Sequence, residues 1–179
     1  MSGLLRPVLG EGVYIAPTAY VAGDVVIGDF ATVMHHVVIR GDIAPIRIGA
    51  RVNVQDGSIL HTPRGVPLEI ADNVAIGHRA VVHGRRVGAR TLIGIGAIVL
   101  DDCEIGSRCI IAAGAVLSPG TVVADGKVVM GIPGKVVREG TTQDLEMIDQ
   151  VVVSYVELGR RHAANEFPNI AAGRSSASL

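Results

Sequence analysis

The chain has 179 residues and a formal net charge of −1, enough for one domain with a real core. That balance gives no pull towards nucleic acid or a membrane surface. Hydrophobic residues make up 49% but aromatics only 3%, with no Trp, so the core must be thin, regular layers of Val, Ile, Leu and Ala.

Met1–Gly12 shows no basic start leading into an apolar run, and no stretch approaches 18 uninterrupted apolar residues. A cytoplasmic chain without a membrane span is the expectation. The decisive pattern is a period of six. Aliphatic residues fall at 15, 21, 27, 33, 39, then 48, 54, 60, then 70, 76, 82, then every sixth residue from 87 to 129; 15 of the 18 intervals are six residues. Neither a helix period nor simple alternation produces this.

The residue four places after each aliphatic one is usually small or apolar, as at Ala31, Val52, Ala80 and Ala115. Cys103 and Cys109 occupy the same slot and are expected to be buried thiols rather than a disulfide. Six-residue units of this kind build a parallel β-helix, three units to a triangular coil, so nineteen units predict about six coils. Residues 1–12 read as a lead-in, 13–135 as the coil, 136–170 as a helix-bearing segment and 171–179 as a flexible tail. Pro133 is expected to end the ladder. Thr141 or Thr142 then caps a helix with Asp144 in its first turn. Leu145, Ile148, Val152 and Tyr155 make one apolar stripe, to be packed on the prism or on a neighbouring subunit.

Three histidines interrupt this aliphatic pattern: His61, His78 and His83. Three imidazoles with an open fourth position form the ligand set of a catalytic zinc site. Counting every third unit as one face puts Arg40, His61 and His83 in one vertical row, and His78 directly above Asp56 in another. Five extended residues cover up to ~16 Å, so His78 of the same chain is out of reach of a site at the other two. A second subunit must supply it, and a ring of such contacts closes most simply as a cyclic trimer. The slot after each aliphatic residue is normally Ala or Gly; large polar side chains enter it only at Arg40, Gln55, His61 and His83. Clustered violations of a local rule tend to mark function.

The runs IRGD (Ile39–Asp42), NVQDGSILH (Asn53–His61) and IGHRAVVHG (Ile76–Gly84) resemble, in this order, the γ-class carbonic anhydrases, over about residues 8–138. The resemblance implies an all-β chain forming a left-handed β-helix of hexapeptide repeats with a C-terminal α-helix, assembled as a homotrimer. It implies that His61, His78 and His83 hold Zn2+, with Fe2+ or Co2+ as alternatives, and that the substrate pair is CO2 and bicarbonate. Gln55 would stand beside the reacting water, with Arg40, Asp42 and Asp56 as a charged cluster between subunits. A divalent ion lowers the pKa of water to about 7, the value typical of carbonic anhydrase zinc, and supplies hydroxide at neutral pH.

The most active relatives carry acidic residues just after the RGD-like segment and in the loop after the first histidine. Here those places hold Ile43 and TPRGVPL, with Glu69 only at the end. Fast hydration needs a group to carry the proton away, and His35 and His36 are the candidate substitutes. Tyr155 reads as helix packing, and Asp101, Asp102, Arg85 and Arg86 as solvated turn charges. Three other functions compete: a hexapeptide acyltransferase using CoA, a metal-dependent hydrolase of CoA thioesters, and a non-catalytic metal-binding scaffold.

Overall fold

The computed structural model describes residues 5–170, in which 19 short strands precede one helix. The strands form the three flat faces of a left-handed parallel β-helix. On the first face Ile15, Val33, Val54 and Ile76 stack in register and the file continues to Val129. The second face stacks Val21, Ile39, Leu60 and Val82 and runs on to Leu117. The third runs from Leu9 through Ile27, Ile48 and Ile70 to Val123. These inward residues and the slot four places on make one continuous core. Each fully buried Val, Leu or Ile contributes roughly 1.5–3 kcal/mol. Cys103 and Cys109 lie in that core with no exposure, and burial pushes both thiols up from their ordinary range.

The hexapeptide works because its six positions have separate jobs. The residue three places before the inward aliphatic one turns the corner with positive φ, as at Arg51, Gly57, Asn73 and Gly96. The residue just after the aliphatic one meets the next coil's backbone. At Gly88 an added Cβ would lie 2.5 Å from the Gly106 carbonyl carbon, so only the smallest side chains stack there.

The ladder is longer than six coils. Seven parallel rungs stack on the first face, and Val8–Leu9, inside the stretch read as a lead-in, pairs with Val26–Ile27. Nor does Pro133 end the sheet. The chain turns back through Gly131–Gly134, and Lys135–Glu139 adds an antiparallel strand to Lys127–Met130. Residues 171–179, expected to be a flexible tail, lie outside the described residues.

The helix, Thr142–Ala163, begins at N-cap Thr141, whose side chain and that of Asp144 cap each other's backbone amides. Arg138 grips Asp144 with two nitrogens, at 2.6 and 3.0 Å, and this contact first of all holds the Asp144 carboxyl far below the ordinary carboxylate range. The helix packs on its own prism. Ile148 and Val152 bury against Ile110 and Val128, Gly159 abuts Thr32, and His162 stacks on Tyr14, 5.4 Å between centroids. A 22-residue helix is about 33 Å long and seven rungs span about 29 Å, so it covers the whole first face.

The other two faces differ in chemistry. Outward residues of the third face alternate in charge, Arg47, Glu69, Arg86, Glu104. The outward row of the second face is apolar from Tyr20 through Val38, Ile59, Val81 and Ile98 to Val116. Ile59 there is 42% exposed and Tyr20 59%. Among the described residues, no helix is long and apolar enough to cross a membrane.

Candidate metal centre

Two insertions into the six-residue rhythm build one edge of the candidate site. The first, Gly41–Pro45, keeps its place through Thr62. That fully buried hydroxyl accepts the Ala44 N–H and donates to the Ala44 carbonyl, both at 3.2 Å. The clamp brings Asp42 beside His61. Arg40 and His61 are register partners on neighbouring rungs, and His83 follows Val82, which sits one rung above Leu60.

The imidazoles of His61 and His83 meet. Their centroids are 5.2 Å apart, and His61 Nδ1 faces His83 Nε2 at 3.1 Å. A tetrahedral ion with nitrogen bonds near 2.05 Å sets two donors about 3.3 Å apart, so the pair already has the bite of a shared ion. The outward nitrogens are held by carboxylates. Asp42 Oδ1 lies 3.2 Å from His61 Nε2 and Asp101 Oδ1 2.5 Å from His83 Nδ1. Asp101 accepts, so His83 Nδ1 is assigned as the N–H and its Nε2 as the bare lone pair; at His61 Nε2, Asp42 calls for an N–H and Arg40, a donor, for a lone pair. Paired with Asp42, His61 turns a bare Nδ1 towards His83 Nε2, and in that tautomer the two nitrogens fit a divalent ion; paired with Arg40, His61 Nδ1 carries the proton and donates to His83. Arg40 Nη2 stands 3.1 Å from His61 Nε2, and Nη1 is 3.5 Å from Asp42.

His78 stands apart. It occupies the corner after the first face, stacked in one file with His35 and Asp56 through backbone bonds from Gly57 to His35 and from Arg79 to Asp56. Ser58, fully buried, pins this corner by donating to the Gly77 carbonyl at 2.9 Å and accepting from the Ala80 N–H. His78 Nδ1 rests 3.0 Å from Asp56 Oδ2, which leaves its Nε2 outward. Among the described residues of a single chain, no three His, Cys, Asp or Glu are arranged to hold one ion. One chain brings His61 and His83 together and keeps His78 on another edge.

Gln55, 6% exposed, sits on the His78 edge. Its Nε2 donates to Asn53 Oδ1 at 3.0 Å, so its Oε1 is free to accept. Tyr155 reaches this edge from the helix: burial, and then the charge of Asp56, push its phenol above the ordinary range. His35 Nδ1 pairs with Thr18 Oγ1 at 2.9 Å, and His35 and His162 pack edge to face. Sequence reasoning missed Thr62, Ser58 and Asn53 as positioning residues; only Ser58, a polar residue in the apolar slot four places after Val54, carried a signal. It also read Asp101 as a solvated turn charge, and its contact with His83 corrects this. Asp101 sits one coil above His83 but one residue further along, so counting by rows passed it over.

The chain fits the family model described as Dynactin subunit 5 over residues 10–159. It is 41% identical over 158 residues to a carbonic anhydrase of Geobacillus kaustophilus, covering 88% of this chain and 87% of that one. It is 35% identical over 164 residues to gamma carbonic anhydrase 1, mitochondrial, of Arabidopsis thaliana, covering 88% of this chain and 60% of that protein. Among solved structures, a hexapeptide transferase family protein from Anaplasma phagocytophilum superposes with TM-score 0.83 at 30% identity, covering 87% of this chain and 92% of that one. The match thus spans most of the Geobacillus protein and 60% of the Arabidopsis one, and the chain belongs to the γ-class carbonic anhydrase family of hexapeptide-repeat β-helix proteins.

Proposed function

We propose that this chain catalyses the reversible hydration of CO2 to bicarbonate at a metal site shared between subunits of a homotrimer. The observation that carries the reading is the pairing of each of the three histidines with an aspartate: His61 with Asp42, His78 with Asp56 and His83 with Asp101. A carboxylate on one imidazole nitrogen fixes the ring and leaves the other nitrogen free as a ligand. The carbonic anhydrase names of the relatives point the same way.

His61 and His83 of one chain and His78 of its neighbour would hold Zn2+, Fe2+ or Co2+. When bound, such an ion makes hydroxide available at neutral pH by lowering the pKa of water. The apolar row of the second face, which passes beside His61 and His83 at its middle rungs, is the surface the neighbour covers. Docked there, the neighbour brings its Gln55, whose amide oxygen accepts from the reacting water and aims it. Asp56 keeps one oxygen on His78 and offers the other to Arg40 across the interface. That charge-assisted contact satisfies two groups which are costly to leave buried and unpaired. It also leaves Asp42 as the acceptor for His61. Neither Ile43 nor the TPRGVPL loop supplies a carboxylate, so protons leave slowly through His35 or solution buffer.

The test measures metal content and CO2 hydration on zinc-loaded, cobalt-loaded and anaerobically iron-loaded protein. About one ion per chain and hydration well above a metal-free control support the reading. Full metal content with no hydration in any form overturns it in favour of a metal-binding scaffold.

A further inference from the structure

Three aspartates on this prism share one task. Asp29, Asp72 and Asp125 stitch coils together by accepting backbone amides of Glu11, Ala50 and Ser107 at 2.8–2.9 Å. Asp101 occupies a comparable turn, yet its carboxylate reaches the imidazole of His83 instead. Its own place in the turn is secured without the side chain, since the Asp101 carbonyl accepts the Gly120 N–H at 2.8 Å.

We infer that Asp101 is a positioning residue which holds His83 in the tautomer and orientation needed to bind a metal ion, an inference that rests on the metal site proposed above. Three features carry it. The contact, at 2.5 Å, is the closest of the three, those of Asp42 to His61 and Asp56 to His78 being 3.2 and 3.0 Å. It engages Nδ1, which forces the ligand role onto Nε2, the nitrogen that faces His61. And the carboxylate, 51% exposed, has among the described residues no other side-chain hydrogen bond or ion pair that would explain why it turns towards the ring. Removing a carboxylate of this kind typically weakens metal affinity 10–100-fold, because the ring then rotates and exchanges tautomers freely.

Asp101→Ala and Asp101→Asn separate position from charge. Zinc affinity is measured by competition with a chromophoric chelator, and the protonated nitrogen of each imidazole is read by nitrogen–proton correlation spectra of the metal-free protein. Asp101→Ala is expected to bind zinc roughly 10–100-fold more weakly, and Asp101→Asn, which keeps an acceptor, to fall between it and the parent. Metal-free thermal unfolding stays unchanged in both. The parent spectrum shows His83 protonated at Nδ1, and Asp101→Ala loses that fixed state. Affinities within twofold of the parent for both variants overturn the inference. If the parent itself takes up no zinc, the shared metal site fails, and the imidazole spectra alone decide: a His83 tautomer that is the same in parent and Asp101→Ala overturns the role of Asp101, and a lost one upholds it.

Discussion

Replacing Gly159 by alanine sets two effects of known size against each other. In the middle of a helix the change contributes about 0.8–1.0 kcal/mol through propensity alone. Against it stands the first face of the prism. The new Cβ would lie 2.2 Å from Thr32 Cγ2 and 3.3 Å from Tyr14 Cβ. Thr32 is 2% exposed and stiff at χ1, so it has no room to give, and the helix must lift. Overpacking of this kind costs about 1–3 kcal/mol. The net expectation is a loss of about 0–2 kcal/mol. Urea unfolding at fixed protein concentration measures it, because any assembly makes apparent stability concentration-dependent. Thr32→Ala supplies the control. It removes the offending methyl together with a buried hydroxyl that lacks a partner, so in its background Gly159→Ala should stabilise. The double-mutant cycle should show a coupling of about 1–3 kcal/mol. A full gain from Gly159→Ala alone, with no coupling to Thr32, would refute the packing of this helix on its own prism.

Three further outcomes are expected. Ile59→Glu puts a charge in the centre of the apolar row; light scattering should show loss of the trimer, and metal content should fall with it, while an intact trimer would show that this face is not the interface. Hydration at saturating CO2 should be slow and rise with imidazole buffer concentration, since Ile43 and TPRGVPL offer no carboxylate; a fast rate independent of buffer would reveal an internal proton carrier. Asp144 titrates below its ordinary value when folded, so the stability it contributes is fully present above about pH 4 and is lost as pH falls through its depressed folded value. Loss of helix signal on acidification should therefore weaken in Asp144→Asn, and an identical acid profile would assign no role to this cap.

The coil was legible because its physics repeats. An inward aliphatic residue, a small corner residue and a left-handed turn recur every six positions, and the period places Leu60 over Ile39 with no further information. The ends were less legible. Leu9 satisfies the count but stands alone before Gly10–Gly12, and the antiparallel strand Lys135–Glu139 follows a reversal that carries no periodic signal. At the site, rows predicted the meeting of His61 with His83 and of Asp56 with His78, because both are contacts straight up the ladder. Contacts that step sideways were hidden: Asp101 to His83 is offset by one residue, and Thr62 reaches Ala44 inside an insertion that breaks the rhythm. Gly159 was hidden for another reason, since its lack of a side chain is useful only once Thr32 is known to face it.

The sharing of one metal site between two chains is tested most directly by mixing two inactive variants. His78→Ala keeps His61 and His83; the double variant His61→Ala/His83→Ala keeps His78. Each refolded alone should lack a complete site. Unfolded and refolded together in equal amounts, they mix into trimers, and an interface is complete when intact His61 and His83 meet an intact His78. Random mixing restores roughly a quarter of all sites in a cyclic trimer. Metal binding recovered to about that level, with none in either parent, is the predicted result. No recovery in trimers shown to contain both variants would contradict the placement of His78 in the neighbouring subunit.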